Sequence, residues 1–273
     1  MQKRAKFIIV SVVLASLLWG SQWISADSRL QAIIAVAVVA YVLTAWSLFE
    51  DLKGIEWLTI MSLPVLYTLG AGLFSIFLPV SVPRVLGVKL SLESARLVAG
   101  MVRVLFWGGF GVGYYAISLT ENIFSVAAIR TIQLLRAAHA VGFLLTLLTG
   151  LFFFHSIYSF KLPYWWITLT TALVSWLLYL QGNWSMQLKE GVSRRVVLYT
   201  SISALVSIEL ALALSFWPIE PLTAALCLVA SLYVMLGLSQ QALVGRLFKN
   251  QVTEYVLVAV VVLLASIYIT SWR

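Results

Sequence analysis

Nine predominantly apolar stretches, at 7–24, 30–49, 57–78, 97–119, 138–160, 163–181, 196–217, 222–240 and 254–271, follow one another along the 273-residue chain. Only short polar segments separate them. Runs of about eighteen or more apolar residues with few charges read as transmembrane helices rather than as amphipathic stripes on a soluble core. At 1.5 Å per residue most of these cross a hydrocarbon layer of about 30 Å. Composition agrees, with 62% hydrophobic and 10% charged residues, against roughly 45–50% and about 25% in soluble domains. Such a chain lacks the charge to cover a surface facing water. The expected fold is all-α: a polytopic transmembrane bundle of about nine spans, forming one integral membrane domain over residues 1–273.

Basic residues set the expected orientation, because Lys and Arg near span ends are retained in the cytoplasm. With the N-terminus inside, eleven basic residues lie on the inner side and six on the outer side. This predicts a multi-pass protein of the cytoplasmic membrane, N-terminus in and C-terminus out. The outer loop 79–96, with Arg84, Lys89 and Arg96, runs against the trend. The net charge of +8 is spread over short loops without a dense Lys/Arg tract, so it is topogenic and does not point to nucleic acid. Trp23, Trp46, Trp57, Trp165, Trp166, Trp184, Trp217 and Trp272 fall near predicted span ends, where indole favours the headgroup level. Trp19, Trp107 and Trp176 lie deeper. The first span also reads as a signal peptide with a poor cleavage site at Ile24-Ser25-Ala26, which would leave eight spans.

One segment is neither plain loop nor plain span. On a helical wheel over 121–137, Asn122, Ser125, Arg130, Gln133, Arg136 and His139 share one half, and Ile123, Phe124, Leu134 and Leu135 the other. This is the pattern of a basic amphipathic helix lying at the inner interface, or of a polar face that lines a cavity mouth or docks a partner.

Of 28 charged residues, all but Arg103 and Glu209 fall in loops, tails, this segment or the extreme ends of spans. Both lie in the outer half at similar depth. Charges at such depth usually pair and face a bundle interior, so an Arg103–Glu209 ion pair is expected. His155 shares the layer, and the three could form a proton relay or grip an anionic headgroup. A histidine among Phe152, Phe153 and Phe154 is equally readable as a packed side chain. Gly109 and Gly113 make a GxxxG pattern that allows close helix approach. Pro64, with Gly70 and Gly72, can kink the third span.

Catalytic templates are absent: no HExxH, GxSxG or Walker loop occurs. Two histidines and one cysteine, Cys227, make a zinc site improbable, and no cofactor or metal is called for. Asp27 and Asp51 lie outside the spans, which speaks against an intramembrane aspartyl pair.

The segments Thr120-Glu121-Asn122-Ile123-Phe124, Ile129-Arg130-Thr131-Ile132-Gln133-Leu134-Leu135-Arg136 and Leu214-Ser215-Phe216-Trp217-Pro218 resemble an uncharacterised family of multi-spanning bacterial membrane proteins. The resemblance implies a bacterial cytoplasmic membrane and brings no activity with it. Three functional classes fit the sequence. One is transport or ligand and lipid handling through the Arg103, His155 and Glu209 layer. Another is a non-catalytic partner or assembly subunit of a membrane complex. The third is an enzyme acting on a lipid-linked substrate. Membrane lipids are the expected partners, with a protein partner in the second class.

Overall fold

In a hydrocarbon layer every backbone N–H and C=O must be satisfied within the chain, and a continuous helix does this most simply. The computed structural model describes residues 3–49, 52, 54–85, 88–89, 91–127, 133–189 and 191–270. Among them are nine helices: α1 (Lys3–Ser21), α2 (Ala26–Leu48), α3 (Glu56–Ser75), α4 (Leu92–Ala127), α5 (Leu135–Ser159), α6 (Tyr164–Trp184), α7 (Arg194–Ser215), α8 (Pro221–Val244) and α9 (Lys249–Ile269). Each expected span has its helix. Eight are long and apolar enough to cross a membrane, α6 being the exception. Two-residue strands, β1 (Arg84–Val85) and β2 (Val88–Lys89), pair antiparallel in the loop before α4.

Local chemistry sets the boundaries. The Ser193 hydroxyl caps α7 by accepting from the Val196 N–H at 3.3 Å. Pro221 begins α8, where its missing N–H costs nothing. Gly245 ends that helix at φ 73°, and the Arg246 N–H then donates to the Gln241 carbonyl at 2.9 Å. α3 runs unbroken through Pro64. Its Gly70 and Gly72 instead make room for Phe153 of α5 and Ile33 of α2.

Sequential helices pack as neighbours, and α5 also packs on α3 and α8, which places it centrally. α1 packs on α2 and α4 and sends Val10, Leu14 and Leu18 into the main core. α9 lies against α8, and Ser266 is its one buried residue. The end of the bundle carrying the start of α1 is termed inner, the opposite end outer. At the outer end an aromatic cluster joins α3, α4 and α5: Phe74 lies 5.6 Å from Phe106 and 5.1 Å from Phe152 between ring centroids.

The helix α4 is longer than expected. Its 36 residues span about 54 Å, well beyond a hydrocarbon layer. Of the segment expected at the inner interface, Glu121–Ala127 continues α4, Gln133 and Leu134 form a turn, and Leu135 begins α5. Arg130 lies outside the described residues. Exposed Gln133 and Arg136 keep their polar side chains at the inner rim.

Candidate functional site

The sequence expectation for the outer half does not hold. No ion pair joins Arg103 to Glu209. α4 packs on α1, α3 and α5, whereas α7 packs on α6 and α8. Equal depth along the membrane normal therefore does not bring the two side chains together. Glu209 is exposed on the face of α7 that also shows Leu205, Val206 and Leu212. Arg103 is half-buried, and its Nε is enclosed without a hydrogen-bond partner. His155 is a packed aromatic neighbour, its ring 4.9 Å from Phe74 and 5.8 Å from Phe77, with Nδ1 3.4 Å from the Ser159 hydroxyl. The GxxxG pattern is engaged at one end only. A Cβ at Gly113 would strike the Tyr67 hydroxyl, while Gly109 faces open space.

The inner half holds a polar layer instead, built around the last turns of α6. Every residue from Leu178 to Ser185 is buried, so this end of the helix is enclosed on all sides. Its polar groups are met by four other helices. The Asn183 amide donates to Thr200 Oγ1 of α7 at 3.2 Å, and its carbonyl oxygen accepts from Ser239 Oγ of α8 at 2.7 Å. Gln240 Nε2 of α8 donates to the Gly182 carbonyl at 2.9 Å. His139 of α5 places Nε2 2.9 Å from the Ser185 carbonyl, which requires the hydrogen on that nitrogen. Gln181 Nε2 donates to Glu121 Oε1 of α4 at 2.7 Å. Close packing permits these bonds: a Cβ at Gly182 would press on Leu236, and one at Gly142 on Thr120.

Glu121 is the notable member. It is fully buried, and Gln181 is only 2% exposed. Glu121 Oε2 and Gln181 Oε1 have no hydrogen-bond partner. A small void beside Gln181, with room for about one water, is lined by Phe124, His139, Gly142, Gly182 and Gln240 among others. Of the expected interfacial residues, His139 alone joins this layer. Asn122 is half-buried, with its Oδ1 unpartnered. Sequence reading placed Glu121 at the rim because a charge interrupts an apolar run there. The pointer it missed was Gln181 and Asn183 closing a span with Thr200, Ser203 and Ser207 opening the next.

A second cavity lies in the outer half between α2, α3, α5 and α6. It has a volume of about 440 Å³ and is lined by Leu30, Leu69, Phe153, Ile157, Leu173 and Val174 among others. Its lining is apolar. The hydroxyls of Ser156 and Thr170 are turned back onto helix carbonyls at 2.7 Å each. Exposed Leu30, Leu162 and Leu173 stand at its lip, so it opens sideways, towards lipid. Arg29 precedes Leu30, and Lys161 sits between the lining residues Phe160 and Leu162.

Among the described residues no three His, Cys, Asp or Glu side chains gather to hold a metal. Asp27 is exposed in the first turn of α2, where its charge meets the positive end of the helix dipole. Cys227 is buried as a free thiol against the Ser266 hydroxyl, 2.9 Å away. No curated protein and no solved structure matches the chain. Residues 8–269, from within α1 to the end of α9, match the family model of DUF5656, described as a protein of unknown function, and the chain belongs to that family.

Proposed function

We propose that this protein handles a membrane lipid, holding one acyl chain in the outer-half cavity with the headgroup at the basic rim. The observation that carries the reading is the apolar, laterally open cavity of about 440 Å³. Its size is that of a small-molecule site, and its lining suits hydrocarbon alone. Arg29 is held in place by donating from a terminal nitrogen to the Gln22 carbonyl at 2.6 Å, while its Nε remains enclosed without a partner. Lys161 is exposed on the short link between α5 and α6. Two cations beside an acyl slot favour an anionic headgroup. The basic inner ends of α1 and α7 support a cytoplasmic placement of the inner end, which puts the cavity in the outer leaflet.

Leu69→Trp tests this by filling the cavity from its wall. Native mass spectrometry of protein released from nanodiscs should show a bound phospholipid in the wild type and at least about tenfold less in the variant. Replacing Arg29 and Lys161 together by Gln should leave lipid bound but remove the preference for phosphatidylglycerol over phosphatidylcholine. Equal lipid retention by wild type and Leu69→Trp would end the proposal.

A specific observation also favours the partner-subunit reading. On the outer half of α4, Leu97, Met101, Val104 and Leu105 are exposed, and Gly100 and Gly108 meet no atom where a Cβ would stand. Open glycines flanked by bulky side chains suit close approach by another helix. Gly108→Leu would then dissociate a complex isolated in mild detergent without lowering thermal stability. An unchanged elution volume against a detergent-matched monomer standard would remove this reading.

A further inference from the structure

The two unsatisfied oxygens of the inner layer belong to the two members of one hydrogen-bonded pair. Gln181 Nε2 already donates to Glu121 Oε1. Glu121 Oε2 and Gln181 Oε1 are left over, both enclosed. A carboxylate offers only acceptors, and an amide oxygen is an acceptor too. One hydrogen on Glu121 Oε2 would supply the donor that Gln181 Oε1 lacks, in a cyclic acid–amide pair. It also removes a buried charge to which no cation among the described residues is paired. Glu121 is fully buried, and among the described residues Gln181 is its side-chain hydrogen-bond partner.

Several titratable groups on the helices around it have neighbours of their own. On α1, Lys6 sits over the Trp46 ring at 5.2 Å. On α3, Glu56 is buried at the first residue of the helix, and the Tyr67 ring stacks on Phe110 at 5.2 Å. On α5, His139 is turned to Ser185, and on α6 the Tyr179 hydroxyl lies 2.9 Å from Ser207. A hard metal cation fits poorly, because such ions take about six or more oxygen ligands and this pair offers two free ones.

We propose that Glu121 is a proton-binding site inside the bundle, that Gln181 is its positioning residue, and that the proton is exchanged with the inner face past His139 through the adjoining void. The step is simple addition: a proton arriving from water forms the O–H bond on Oε2, and its release returns the carboxylate. Buried carboxyls of this kind mark proton relays in membrane proteins. This site is independent of the lipid cavity, which lies in the outer half, so either proposal can fail alone.

Infrared difference spectroscopy on the full chain in liposomes tests it. At neutral pH the wild type should show a protonated-carboxyl carbonyl band that shifts in D2O. The band should vanish in Glu121→Gln and move in Gln181→Met. Glu121→Gln should fold normally, since an amide reproduces both hydrogen bonds of the protonated acid, whereas Glu121→Leu should not. Should Glu121→Gln fail to express, the band shift in Gln181→Met carries the same information. His139→Phe should slow deuterium exchange of the band at least about tenfold. A band unchanged by both Glu121→Gln and Gln181→Met would overturn the proposal. So would sodium or potassium raising the melting temperature of wild type but not of Glu121→Gln, which would make the site one for a metal cation. Exchange as fast in His139→Phe as in wild type would overturn the proposed route.

Discussion

Trp184→Ala is expected to be the most destabilising single truncation in the inner half. The side chain is 1% exposed and packs in a cluster with Phe7, Leu48, Ile60, Met61 and Val196, drawn from α1, α2, α3 and α7. Its indole N–H donates to the Lys189 carbonyl at 3.1 Å and so ties down the link that follows α6. Truncating a buried Trp costs about 3–5 kcal/mol in soluble proteins, part transfer and part cavity. In lipid the transfer part shrinks, because hydrocarbon surrounds the unpacked helix as well. The cavity part remains. A loss near the lower end, about 3 kcal/mol, should appear in equilibrium unfolding with SDS in mixed micelles. Trp23→Ala, at 80% exposure, is the control and should change stability by less than about 0.5 kcal/mol. Equal losses for the two would contradict the packing described here.

Gly182→Val is expected to follow, by wedging α6 from α8. A Cβ at this position would stand 2.8 Å from Leu236 Cδ1, and valine adds two methyl groups beyond it. Overpacking of this kind costs about 1–3 kcal/mol. The Gln240 bond to the Gly182 carbonyl and the two bonds of Asn183 lie within the same turn, so separation strains them too. Gly182→Ala should cost less, because the obstructing atom is the tip of a flexible leucine. Pairing Gly182→Ala with Leu236→Ala should recover part of the loss. A double-mutant cycle in the same micelles measures that coupling, and strict additivity would show that the two positions do not meet.

The spans were legible because the lipid layer imposes one length on every crossing element, and that length is written in the apolar runs. Azimuth is not written there. A residue's place along α4 or α7 fixes its depth, but which side of the bundle it faces depends on packing partners many residues away. The expected Arg103–Glu209 pair failed for this reason. Glu121 was misplaced for a related one. A charge at the end of an apolar run reads as the water interface, unless the polar groups that enclose it are recognised as one set. Those groups come from four other helices, α5 to α8, and only their common clustering near inner span ends connects them in the sequence. Trp184 shows the limit of a statistical rule. Indole favours the headgroup level on average, yet this one is walled in by four neighbouring helices and its own link.

The polar inner end of α6 bears on how the chain enters the membrane. A segment carrying Gln181, Asn183 and Ser185 partitions from the translocon less readily than its neighbours do, and α6 is the one helix here that falls short on apolarity. The link to α5 is only a few residues long, with Lys161 held at φ 51°. A link this short lets α5 and α6 insert as a hairpin, the more apolar arm carrying the other. Thr200 and Ser239, the partners of Asn183, lie on α7 and α8, so the polar end of α6 meets them only once those later helices have been made. Assembly of the second half of the protein is in this sense what retains the middle, and a ribosome stalled before α8 would leave α6 exposed to membrane quality control.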